Sequence, residues 1–147
     1  MSSQTSVLVG VWDLLSLELL AEGGPPLRPL GDAPAGRLIY TPDGHVSATI
    51  SGRGRPPWAA ADPLAGTVDE MVGAAKIWTS YVGRWRLEAE EVVHEVDLSF
   101  FPNWEGQAQR RKWAVDGDQL FISAPPMLVG GTLRVLRLTW RRSTPRR

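Results

Sequence analysis

The side chains able to do chemistry in this chain gather in one stretch, VVHEVDLSFFPNWEGQAQRRKW, residues 92–113. One parity of its first half carries Val92, His94, Val96, Leu98 and Phe100, and the other carries Val93, Glu95, Asp97, Ser99 and Phe101. Alternation of this kind describes a strand with one dry face and one wet face, and His94 falls on the dry one. The second half puts Gln109 and Arg111 on the parity of Trp113. An imidazole, an amide and a guanidinium then look into one interior. Such groups persist there only where partners, water or a ligand satisfy them. His94 offers a neutral imidazole as donor, acceptor or general acid/base. Arg111 can hold a carboxylate or an enolised carbonyl, with Gln109 orienting it. The plainer alternative makes His94 a satisfied core histidine and pairs Gln109 and Arg111 across strands with Glu18 or Asp97. Glu18 shares its parity with Trp12, which points it inward as a counter-charge, and Tyr40 can offer its hydroxyl to a ligand oxygen.

Other chemistries lack their residues. The chain has no cysteine and two histidines, one of them, His45, in a turn, so no metal site and no cofactor is expected. Gly52-Arg53-Gly54 does not have the strand-before, helix-after setting of a phosphate loop. Ser47 and Ser99 lack a nucleophile elbow. Sixteen acidic and sixteen basic residues balance, leaving no field to attract nucleic acid or an anionic membrane. No apolar run reaches the roughly 20 residues of a membrane span. The opening MSSQTSVLVGVW lacks a basic n-region, and with the absence of cysteine this leads to a cytoplasmic expectation.

The elements that must position these groups are mostly strands. At 147 residues the chain is expected to be one domain, 1–147, with a frayed tail at 143–147. Residues 7–20 are apolar nearly throughout, and their β-branched residues favour a strand over a helix. Strands at 37–41 and 46–50 flank the turn Pro42-Asp43-Gly44-His45. Thr67 and Glu70 form a capping box, and Val68, Met71, Val72, Ala75 and Trp78 recur at helical spacing, predicting a helix over 67–81 whose stripe is core or a lid. Strands at 84–89, 119–123 and 132–142 complete the set, with loops at 21–36, 51–66 and 124–131. Short strands joined by tight turns make an antiparallel meander, and closing it removes its edges and creates an interior. Seven tryptophans are many for this length. Trp78, Trp85, Trp104 and Trp113, with Leu98 and Phe100, are the expected apolar lining of that interior.

Gly10-Val11-Trp12, with Arg141 or Arg142 after Trp140, resembles the Gly-x-Trp signature and closing arginine of lipocalins. LIYTPDGHVSA (38–48), DPLAGTVDE (62–70), PNWEGQAQRR (102–111) and GDQLFIS (117–123) together resemble the bacterial lipocalin-like domain family. The resemblance implies an all-β fold, an antiparallel up-and-down barrel of about eight strands with one inserted helix near its mouth and a cavity for one small ligand. It does not imply a single activity. One expectation is a cofactor-independent cyclase or isomerase of an apolar, polyketide-like metabolite in a natural-product pathway, templating the substrate while His94, Gln109 or Arg111 polarises a carbonyl. The other is a carrier or sensor that only binds such a molecule. A cluster of polar groups aimed at one point inclines the expectation toward the enzyme. The expected partner is a hydrophobic small molecule, and a homodimer is compatible with the barrel.

Overall fold

Period-two burial along successive strands makes each of them one-sided, and a one-sided sheet of this length closes on itself. The computed structural model describes residues 7–146. In chain order come β1 (Gly10–Leu20), β2 (Ala35–Tyr40), β3 (His45–Ser51), α1 (Val68–Ala75), β4 (Trp78–Glu88) and β5 (Glu91–Ser99). A 3-10 turn (Pro102–Trp104) leads to β6 (Ala108–Asp116), β7 (Gln119–Ser123), β8 (Met127–Val129) and β9 (Thr132–Arg142). Each barrel strand pairs antiparallel with its neighbour, and β9 returns to pair with β1. Eight strands therefore form the closed up-and-down barrel that the sequence led to. β8 pairs only with β9, as a short hairpin where a loop was expected.

One end of the barrel is sealed. Trp12 is fully buried and its indole N–H donates to the Leu8 carbonyl at 3.0 Å. Arg142, of the two candidates, stacks over the Trp12 ring at 4.1 Å. Gly10 makes room for it: φ is +131°, and a Cβ there would sit 2.9 Å from the Arg142 guanidinium. Up-and-down connectivity sends the long β1–β2, β3–β4 and β5–β6 connections to the opposite end. Of the tail expected to fray, Ser143 still donates its amide to the Val11 carbonyl at 2.8 Å. Arg147 and residues 1–6, the first half of the stretch that argued against a signal peptide, lie outside the described residues.

Two bulges overturn the simple parity reading. In β1, Leu14 faces Trp140 while Ser16 faces Thr139, so Leu15 is an extra residue. Beyond it Leu17 lines the interior cavity, and Glu18, on the opposite parity, is covered by Arg28 and Arg137. In β5, Gly83 faces Val96 while Val82 faces Leu98, so Asp97 is extra. Beyond it Leu98 (65% exposed) and Phe100 (49%) stand on the outer wall, not in the interior. Gly83 is what admits this bulge, because a Cβ at that position would run into the backbone carbonyl of Glu95.

The helix is shorter than its stripe suggested. The capping box forms as expected, with Glu70 N donating to Thr67 Oγ1 at 3.1 Å and Thr67 N to Glu70 Oε1 at 2.9 Å. The helix ends at Ala75, and the aromatic and β-branched run Trp78-Thr79-Ser80-Tyr81-Val82 joins the sheet against β3. None of its residues is buried. Its apolar residues are therefore neither core nor barrel lining.

Candidate functional site in the barrel interior

Pairing of β5 with β6 sets His94 opposite Gln109 and Val92 opposite Arg111. Because β5 keeps its register up to Val96, His94 stays inside, 2% exposed. Arg111, on the same face of the next strand, is 8% exposed. Between β4 and β2 the imidazole meets two phenols: Nδ1 lies 2.5 Å from the Tyr81 hydroxyl and Nε2 lies 2.7 Å from the Tyr40 hydroxyl. The interior expected to hold three polar groups thus holds a Tyr40–His94–Tyr81 chain beside a guanidinium.

These groups border an interior cavity of about 90 Å³. Its wall takes Tyr81, His94, Trp104, Arg111 and Trp140 on the polar and aromatic side, and Leu17, Ile50 and Leu136 among its aliphatic residues. A larger depression of about 420 Å³ lies on the outer wall, bordered by Ser47, Leu98 and Phe100, and belongs to the surface.

Burial sets the charge states. It pushes the His94 imidazole down to about 3, and the nearby Arg111 cation acts in the same direction. The imidazole is neutral at physiological pH, and the two tyrosine hydroxyls occupy both of its nitrogens. Burial pushes the Tyr81 phenol up to about 12, against the pull of Arg111. Tyr40 is driven well above its ordinary value by burial first and by Tyr81 second. Burial lowers Arg111 from a high ordinary value, and guanidinium keeps its charge near neutrality.

Arg111 donates from Nη2 to Gln109 Oε1 at 2.7 Å and from Nη1 to the Arg110 carbonyl at 3.0 Å. Gln109 thus holds one end of the guanidinium by a hydrogen bond. No carboxylate pairs with Arg111 among the described residues. Glu18, expected as its counter-charge, instead pairs outside the barrel with Arg137 at 2.9 Å and Arg28 at 3.2 Å, which hold its carboxyl below the usual range. The bulge at Leu15 is the reason.

The remaining candidates divide. Trp104, carried over the open end by the 3-10 turn, lines the cavity and meets Tyr81 edge-on at 6.1 Å. Tyr40 is 1% exposed and reaches the cavity only through His94. Trp85 packs on Tyr40 at 4.8 Å and donates its indole N–H to the Thr41 carbonyl, so it buttresses the chain from the core. Trp113 packs against the core below Arg111. Trp78 starts a strand on the outward parity, where Arg55 stacks over it at 4.6 Å. Tyr81 and Trp140 were not singled out from the sequence. Tyr81 shares parity with Trp85, a signal hidden by extending the helix to residue 81. Trp140 shares parity with Leu136 and Leu138, and its indole N–H is buried without a partner among the described residues.

Apart from Thr79, the polar groups left over on this wall are donors. Two of the five N–H bonds of Arg111 are taken, and Gln109 Oε1 already accepts one of them. Thr79, also on the wall, can serve either way. Such a lining is complementary to an acceptor oxygen on an otherwise apolar molecule.

A family model described as a lipocalin-like domain matches residues 9–143. The chain is also similar to the 4'-hydroxy-3'-methoxypropiophenone carrier protein ppsC of Aspergillus oryzae, at 31% identity over 106 residues, 66% of this chain and 96% of that protein.

Proposed function

This chain belongs to the lipocalin-like domain family, and from that membership we propose that it binds an apolar small molecule in its barrel by an oxygen of that molecule. The observation that carries this reading is Arg111, a guanidinium with N–H bonds to spare and no carboxylate partner among the described residues, on the wall of a cavity with aliphatic sides. The similar fungal carrier supports it, since the molecule in its name is an aromatic ketone. At about 90 Å³ the cavity is below the roughly 300 Å³ of ordinary ligand sites, so an aryl ketone enters by displacing Trp104 at the open end.

The same donors favour a second reading, a cofactor-independent isomerase or cyclase. Donors fixed on one oxygen stabilise the enolate that forms as a carbonyl enolises. In this reading Arg111 polarises the carbonyl, Gln109 positions Arg111, His94 acts through the tyrosines, and the α-proton leaves to solvent water as the C–H bond breaks. An imidazole held near 3 is a weak base at neutral pH.

One experiment serves both readings: propiophenone and propylbenzene are titrated into the protein in D2O and followed by NMR. Binding of the ketone at least about tenfold tighter, a difference of about 1.4 kcal/mol, is expected, because the hydrocarbon leaves the donors unmatched. Equal affinities would remove the oxygen-directed site. Faster deuteration at the carbon next to the carbonyl supports the enzyme, and an unchanged rate leaves a binding protein.

A further inference from the structure

We propose that the Tyr40–His94–Tyr81 chain directs a single O–H hydrogen into the cavity beside Arg111, which makes this a site for an ionised oxygen on an sp2 carbon, a phenolate or enolate, and makes Tyr81 the residue that selects it. The inference rests on the cavity reading above and deepens it.

The direction follows from counting hydrogens. A neutral imidazole has one N–H and one lone pair, so it donates to one tyrosine and accepts from the other. Tyr40 has no hydrogen-bond partner other than His94 among the described residues, and it does not line the cavity. If His94 donated to Tyr40, the Tyr40 hydrogen would be buried without an acceptor, the costlier arrangement. Tyr40 therefore donates to Nε2, Nδ1–H donates to the Tyr81 oxygen, and the Tyr81 hydrogen is left for the cavity. Each link polarises the next, which strengthens the final donor.

Charge completes the argument. The titratable groups facing the cavity are His94 of β5, Arg111 of β6 and Tyr81 of β4, with Tyr40 of β2 behind them. None is a carboxylate, so the guanidinium lacks a counter-charge that a ligand can bring. The chain keeps its protons across the working range, since His94 charges only near 3 and Tyr81 ionises only near 12. Binding a neutral phenol breaks its O–H bond, leaves the phenolate on Tyr81 and Arg111, and releases one proton to the buffer.

The matched probes are 2-naphthol and 2-methoxynaphthalene, which share a ring system and differ in whether the oxygen can ionise. Absorbance of the bound naphtholate is read against pH. The expected result is ionisation of bound 2-naphthol at least one pH unit below that of the free compound, with one proton released. Tyr81→Phe and Arg111→Gln should each abolish most of that shift while still binding the ether. If either variant fails to fold, the other carries the test. Nitrogen-15 NMR of His94 should show the proton on Nδ1, and a proton on Nε2 would overturn the direction. Equal affinity for both probes with no shift overturns the selection and leaves the cavity reading standing. Binding of neither probe overturns both.

Discussion

A guanidinium in an apolar interior is expensive unless something answers its charge, and Arg111 has amide and carbonyl oxygens but no carboxylate among the described residues. This argues that the empty protein carries a cost at residue 111. Arg111→Met should therefore raise the unfolding free energy by about 1 kcal/mol or more while weakening ketone binding. Urea unfolding beside the NMR titration checks it, and a less stable variant would show that the guanidinium is structural. His94 has a matching signature in acid. Its folded value is depressed to about 3 from an ordinary 6.5, so between those values the unfolded chain takes up a proton that the folded chain refuses. Stability is present above pH 6.5 and lost as pH falls through that window, by on the order of 5 kcal/mol. His94→Gln should flatten this part of the stability–pH curve relative to the parent, and an unchanged slope would place the acid sensitivity elsewhere.

Strand registers decide which of these side chains meet. The bulge at Asp97 swings Leu98 and Phe100 outward, and it exists because Gly83 leaves room for the Glu95 carbonyl. Gly83→Ala should cost roughly 2–4 kcal/mol, since backbone faces the new methyl group and cannot move as a flexible side chain would. Gly73 in α1 is the control. Nothing lies within 4 Å of a Cβ there, and Gly73→Ala should stabilise by about 0.5–1 kcal/mol. Thermal unfolding of the pair checks both, and equal effects would contradict the bulge argument. The helix shows the opposite balance of local and tertiary signals. Its capping box was legible because it depends on residues three apart. Its end was not, since Trp78 continues the helical spacing by coincidence while Thr79, Tyr81 and Trp85 obey the strand period.

For the whole molecule, closure of the ring is what creates an inside. Arg142 links the last strand to the first, stacking on Trp12 and donating to the Val9 carbonyl at 3.1 Å and the Val7 carbonyl at 2.6 Å. Arg142→Met should lower the unfolding free energy by roughly 1–3 kcal/mol, and Arg142→Lys should recover only part of it, because an ammonium cannot stack and fork at once. Denaturant titration of the three proteins checks this, and a neutral Arg142→Met would make the seal incidental. The amino-acid sequence alone determined the period of the strands, the tight turns, the Gly10–Trp12 seal and the presence of His94, Gln109 and Arg111 on inward positions. These are properties of neighbours along the chain. Only the tertiary structure decided that Glu18 points away from Arg111, that Tyr81 and Tyr40 bracket His94, and that the cavity is left with donors in excess. Each of those outcomes turns on one extra residue in a strand or on a pairing between residues far apart in the chain, and period counting sees neither.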